Sequence, residues 1–188
     1  MKLTVLFALL LTFTQPAFAA TPGMTMAQPV ESEFAFLAGM VPHHEDALRD
    51  ARLAAERSDR PEIRELAQNI IAVQNAEIAQ MEGWLSTWYP DRDRAEAARA
   101  MEMMAMPELA NLSGDAFDRA FLEGMTAHHQ MAVQMADSLL QQDLVEHDEV
   151  RTLAENIRRT QNAEIEQMQG WLESLFAQAP ADAGHEDH

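Results

Sequence analysis

The sequence predicts an all-α protein, a four-helix bundle made of two repeated helical hairpins. Three observations carry this. Apolar residues recur at three- and four-residue steps through four long stretches, as the buried stripe of a helix requires. Pro61 and Pro90 bound the second of those stretches, and the first is free of glycine and proline apart from Gly39 and Pro42. The second half of the chain also repeats the first. Ala35, Phe36, Leu37, Gly39, Met40, His43 and His44 recur 85 positions later as Ala120, Phe121, Leu122, Gly124, Met125, His128 and His129. At an offset of 87, QNAEI at 74–78 recurs at 161–165, and Met81, Gly83, Trp84 and Leu85 recur as Met168, Gly170, Trp171 and Leu172.

Residues 1–19 read as a secretory signal peptide: one lysine, an apolar run from Leu3 to Phe13, then a small-residue cleavage site at Ala17-Phe18-Ala19. The run is shorter than the roughly 20 residues that span a bilayer. Residues 20–30, polar and broken by Pro22 and Pro29, form a flexible leader carrying Met24 and Met26. The first repeat occupies 31–90. Its first helix, 31–57, puts Phe36, Leu37, Met40, His44, Ala47 and Ala51 on one face. Pro61 opens the second helix, where its missing N–H is harmless. Ile63, Leu66, Ile70, Val73, Glu77, Met81, Trp84 and Trp88 keep a helical period up to Tyr89-Pro90.

A connector, 91–114, holds Met101, Met103, Met104 and Met106 and is long for a link between packed helices. These methionines are spaced too closely to share one core face, and suit either a copper-collecting arm or packing over the bundle end. The second repeat, 115–177, contains helices over 115–144 and 147–176. His147 marks a helix start, and Trp84 and Trp171 are core anchors. Residues 178–188, with His185 and His188, are small, polar and acidic, the composition of a disordered tail.

Composition narrows the function. The chain has no cysteine, so no disulfide staples it and no thiolate can bind metal. Its formal charge of −18 repels nucleic acid and anionic lipid and attracts cations. No segment after the signal is apolar enough to span a membrane, so the mature chain is expected to be soluble. Thirteen methionines are the unusual count, and six of them lie between Met101 and Met131.

On the fourth helix Gln161 and Glu164 fall inside the apolar stripe with Leu153, Ile157, Ile165, Met168, Trp171 and Leu172. A carboxylate there must be protonated, paired with a cation or bound to metal. The third helix supplies partners: His128, Met131 and Met135 run along one side, and Met125 and His129 along the adjoining one. Adjacent histidines point about 100° apart. One therefore faces the bundle centre and the other a flank or a neighbouring helix, and the sequence leaves open which. Imidazole suits copper, zinc and iron, and thioether sulfur narrows the choice towards Cu(I). The first repeat has Asp46 and Asp50 where the second has Met131 and Met135, so the second is expected to be the softer copy.

The pattern FLxGMxxHHxMAxxMA at 121–136, followed by LAxxIxxxQxxEIxxMxxWL at 153–172, resembles the exported ferritin-like family known as domain of unknown function 305, which includes CopM-type copper-binding proteins. The resemblance implies a ferritin-like four-helix bundle that binds copper, or a similar metal, outside the cytoplasm. It implies Met125, His128, His129, Met131 and Met135 as metal ligands, with Gln161, Glu164 and Met168 opposite. In the first repeat it implies Met40, His43, His44, Gln74, Glu77 and Met81.

The expected function is thus an exported, periplasmic or extracellular protein that sequesters or carries copper, with zinc or iron as alternative metals. It is not expected to be an enzyme. A ferritin-like two-metal oxidoreductase is one rival, although no Glu-x-x-His occurs in the four expected helices. The other is a structural or protein-binding module in which the same polar residues form a buried hydrogen-bond network.

Overall fold

A computed structural model describes residues 30–95 and 109–176. Within them the chain forms four helices: α1 Glu33–Arg57, α2 Pro61–Trp88, α3 Gly114–Gln141 and α4 Asp148–Phe176. The signal peptide, Met24, Met26, the four connector methionines, His185 and His188 lie outside the described residues. Among those described, no helix is long and apolar enough to cross a membrane.

Local chemistry sets the helix ends. Ser32 caps α1 by accepting the Ala35 N–H on its side chain (3.1 Å). Pro61 sits in the first turn of α2, and the Tyr89 N–H closes its far end on the Leu85 carbonyl before Pro90. Gly114 starts α3 at φ +56, a conformation open to glycine at little cost. Helix α3 stops at Gln141 rather than 144. Asp143 turns the chain at φ 54, and the Leu144 N–H reaches back to the Leu139 carbonyl. Pro42 lies inside α1, where it removes one helical hydrogen bond immediately before the first histidine pair.

Helices α1 and α2 form one hairpin, and α3 and α4 the other. The hairpins meet through α1 and α3, which run antiparallel. Val30 donates its N–H to Ser138 near the end of α3 (3.2 Å), His43 meets His128 at mid-length, and Arg57 reaches the carbonyls of Leu109, Ala110 and Leu112 ahead of α3. Val30 is therefore buried and tied down, and not part of a free leader.

Two apolar clusters fill the bundle. One contains Phe36, Leu37, Met40, Met81, Leu85, Met135, Leu139, Leu153 and Ile157. The other contains Ile63, Leu66, Ile70, Phe117, Phe121, Leu122, Met125 and Met168. Each helix passes from one cluster to the other, and at each crossing it carries a buried polar residue: His43 and His44, Gln74, His128 and His129, and Gln161. The bundle thus has a polar waist between two apolar halves.

Three expectations about the core need correction. Trp84 and Trp171 are half-buried and lie against the edges of the clusters. Val73 is 43% exposed, because Gln74 beside it takes the inward position. Glu77 and Glu164 are only partly buried, with side chains 12% and 21% exposed. Three residues after an inward glutamine, each stands about 60° off the centre of the stripe, which leaves the carboxylate in touch with water and lowers its desolvation cost.

Candidate metal centre

The adjacent histidines divide their tasks, and both copies divide them alike. His44 and His129, both fully buried, turn towards the second helix of their own hairpin. His44 Nε2 lies 2.8 Å from Glu77 Oε2, and His129 Nε2 lies 2.7 Å from Glu164 Oε2. His43 and His128 turn inward to the junction of the hairpins, where their rings lie against each other with centroids 3.6 Å apart. His128 Nε2 is 2.8 Å from the His43 carbonyl.

Each of these three Nε2 atoms faces an oxygen that only accepts, so each is the N–H donor. In the neutral ring the lone pair is then on Nδ1. The Nδ1 atoms of His44, His128 and His129 are buried and have no hydrogen-bond partner among the described residues. Both ring nitrogens of His43 share that condition, as do Oε1 of Gln74 and Oε1 of Gln161.

Electrostatics keeps the central pair uncharged. Burial depresses the pKa of His43 well below its ordinary value, and the imidazoles of His128, His44 and His129 push the same way. For His128, burial and then the nearby His129 bring it down to about 3. The two central imidazoles therefore keep their lone pairs at neutral pH.

The methionines do not divide by repeat. Met40 and Met81 of the first hairpin share an apolar cluster with Met135 of the second, whereas Met125 and Met168 belong to the opposite cluster. Met131 is buried on α3. Asp46 and Asp50, the counterparts of Met131 and Met135, are engaged with Arg49 at 2.7 and 3.3 Å. Burial raises the pKa of Asp50, and Arg49 only partly offsets it. Among the described residues no three His, Asp or Glu side chains converge as a ready-made metal cage. The donors at the waist are instead two imidazole pairs, with buried methionines in the apolar clusters on either side, a chemistry that suits a soft ion better than a hard one.

Three residues at the bundle ends, Glu33, Arg60 and Asp118, escaped the sequence reading. Glu33, fully buried, accepts the N–H groups of Glu146 and His147 (2.6 and 2.9 Å), His147 Nδ1 (2.6 Å) and the Tyr89 hydroxyl (3.1 Å). Burial and this carboxylate raise the Tyr89 pKa. His147 also stacks on Trp88, with ring centroids 3.7 Å apart. It does stand just ahead of α4, accepting the Val150 and Arg151 N–H groups on its carbonyl. At the opposite end Asp118 meets Arg60 at 3.3 Å. Glu33 and Asp118 are 85 positions apart, and Arg60 and His147 are 87 apart, the same two offsets that relate the repeats. The available signal was that a carboxylate near the start of the first helix of each repeat, Glu33 and Asp118, keeps the 85-residue register.

Fold and site together define a class: an all-α bundle of two repeated hairpins, with a paired-histidine waist set between methionine-bearing apolar halves. The chain belongs to the family described as domain of unknown function (DUF305), which matches residues 33–172 and again 142–188. Among similar solved structures is CopM in its Cu(II)-bound form, 37% identical, covering 77% of this chain and 97% of that one with a TM-score of 0.67. CopM has also been solved with Cu(I) and with silver. A DUF305 fragment from Deinococcus radiodurans is 35% identical, covers 79% of this chain and 99% of its own, and has a TM-score of 0.62. A DUF305 protein from Streptomyces coelicolor, named as a candidate secreted protein, is 26% identical over 80% of this chain and 95% of its own, with a TM-score of 0.66. No curated protein matches the chain.

Proposed function

We propose that this chain is an exported protein of the periplasm or extracellular space that binds copper at the waist of its bundle, to sequester or carry it, without turning over a substrate. One observation carries the proposal. His44, His128 and His129 each give Nε2 to a carboxylate or a carbonyl and leave Nδ1 buried without a partner. Metal-binding imidazoles are typically held in this way, with one ring nitrogen fixed by an oxygen acceptor and the other left for the ion.

The ligands are drawn from His43, His44, His128 and His129 and from Met40, Met81, Met125, Met131, Met135 and Met168. Gln74, Glu77, Gln161 and Glu164 lie beside them as orienting or additional oxygen donors. Copper suits imidazole in both oxidation states and thioether in its reduced state, and no thiolate is needed. Structures of CopM with Cu(I), Cu(II) and silver support the choice of metal. The Streptomyces coelicolor relative, named as a candidate secreted protein, and the signal-like first residues support the compartment.

The test is titration of the purified chain with Cu(I) and Cu(II), alongside H128A/H129A and H43A/H44A variants. Each variant is expected to lose affinity by roughly 100-fold or more, on the scale of disrupted metal sites. Parent and variants binding copper equally would refute the proposal.

A further inference from the structure

The two ends of the bundle are built from equivalent positions and close with different chemistry. At one end the acid of α3, Asp118, meets Arg60 at 3.3 Å. At the other the acid of α1, Glu33, meets His147 at 2.6 Å, where the repeat offset of 87 puts an imidazole in place of the guanidinium. Arg60 shows that the contact itself needs only a donor. An imidazole brings something a guanidinium lacks, a second ring nitrogen that holds a lone pair.

His147 Nδ1 faces a carboxylate oxygen and carries the hydrogen, so in the neutral ring the lone pair is on Nε2. Nε2 makes no hydrogen bond among the described residues, and the side chain is 31% exposed. The ring is also held on its face. Trp88 lies parallel to it, with centroids 3.7 Å apart and 2° between the planes, and Trp84 stacks on Trp88 at 5.4 Å and 11°. A surface imidazole ordinarily exchanges rotamers. This one is fixed at one nitrogen by a fully buried carboxylate and on its face by an indole, so the rotamer freedom that a ligand would have to remove is already lost. The Arg60 end has no such column, because Leu175 occupies the position equivalent to Trp88.

We infer that Nε2 of His147 anchors a second cation site at this end of the bundle, distinct from the waist and taking a borderline divalent ion, Cu(II) or Zn(II). Imidazole suits both ions, and the chain beside it offers carboxylates in place of thioethers. Glu146, Asp148 and Glu149 adjoin His147 and are exposed. The start of α4 carries the positive end of a helix dipole, which opposes a cation. Asp148 and Glu149 in its first turn and Glu33 behind the ring counter that field. With one protein nitrogen and water completing its shell, the site binds more weakly and exchanges faster than buried donors do. It collects an ion at the surface.

Trp88 is the reporter, and in W84F/W171F it is the only tryptophan. Copper(II) sulfate is the probe, because Cu(II) quenches an indole that it approaches closely. The reporter chain is expected to lose most of its Trp88 emission. The same chain carrying H147R, which copies the guanidinium of the other end, or H147Q, which keeps an N–H for Glu33, is expected to need roughly 10-fold more copper for the same loss. Zinc sulfate added first is expected to delay quenching in the histidine chain alone. Copper at the waist contributes equally to all three chains, so the difference belongs to His147. Helical circular dichroism of each variant is compared with the parent. On the unsubstituted chain, the ring-proton resonances of His147 are expected to broaden at substoichiometric Cu(II). Equal quenching in the three chains, or an unbroadened His147 resonance, would overturn this inference and leave the waist reading intact. His147-dependent quenching in a chain whose copper affinity is unchanged by H128A/H129A and H43A/H44A would support this site and overturn the waist reading.

Discussion

His128 donates its Nε2 hydrogen to the carbonyl of His43, 85 residues away, and lays its ring against the His43 ring at 3.6 Å. A junction of this kind tolerates neither proton: a second N–H on His128 would be buried without an acceptor, beside another imidazole. Burial accordingly depresses both pKa values, for His128 to about 3. In the unfolded chain each returns to an ordinary value near 6.5. Between these limits the unfolded state binds more protons, so stability is fully present above about pH 6.5 and is lost as pH falls towards the folded values. The metal-free protein should lose about 2 kcal/mol through His128 between pH 7 and pH 5, with His43 acting in the same direction. Urea unfolding at pH 7, 6 and 5 measures this, with H43Q/H128Q as the control in which the slope is reduced. A parent protein equally stable at pH 7 and pH 5 would show that the central pair is not held neutral.

The contact of Glu33 with His147 predicts unequal bundle ends. Glu33→Ala strands the N–H groups of Glu146 and His147 and His147 Nδ1 at once, and leaves the Tyr89 hydroxyl only Glu146 Oε2 at 3.4 Å. Breaking a buried network of this kind costs about 3 to 5 kcal/mol. Asp118→Ala should cost less, because Arg60 keeps Asp115 at 2.9 Å and remains over the Phe176 ring. Comparing the urea midpoints of the two variants tests the ranking, and equal losses would contradict it.

Much of this architecture was legible in the sequence because helical periodicity and an internal repeat are both local patterns. The 85-residue offset put His43 and His128 in equivalent positions, and Gln74 with Glu77 was matched to Gln161 with Glu164. Which histidine turns inward was not legible. Adjacent residues on a helix differ only in direction, and that direction is decided by where the second hairpin docks. The distribution of methionines was hidden for the same reason: Met135 joins Met40 and Met81 only because α1 and α3 run antiparallel. Glu33 escaped because a first-turn acid is usually a solvated partner of the helix dipole, and its burial depends on a loop 113 residues further on.

The contacts of His44 with Glu77 and of His129 with Glu164 predict an effect on metal affinity separable from folding. Each carboxylate fixes the orientation and tautomer of an imidazole. Glu77→Gln and Glu164→Gln keep an oxygen acceptor for the ring N–H but remove the charge. Copper affinity should fall by about 10-fold for each. Both carboxylates retain some exposure, so the loss of metal-free stability should stay near 1 kcal/mol. Paired copper titrations and urea melts distinguish this from a purely structural role, in which stability would fall and copper affinity would not.

Metal addition should raise the thermal midpoint, because the donors come from both hairpins and are brought together only in the folded state. A ligand that binds only the folded chain stabilises it by about 2.7 kcal/mol at one hundred times its dissociation constant. The described core is modest in size, so a gain of that order moves the midpoint by roughly 5 °C or more. The gain should disappear when a chelator is added in excess, and it should be smaller in H43A/H44A and in H128A/H129A. If the midpoint ignores both metal and chelator, the waist is a hydrogen-bond network alone. The orphaned Nδ1 atoms of His44, His128 and His129 would then be a standing cost to the fold, since a buried polar atom without a partner destabilises by about 1 to 3 kcal/mol. That cost is the physical reason to expect a ligand: three such atoms in one layer represent a destabilisation that bound metal would convert into binding energy.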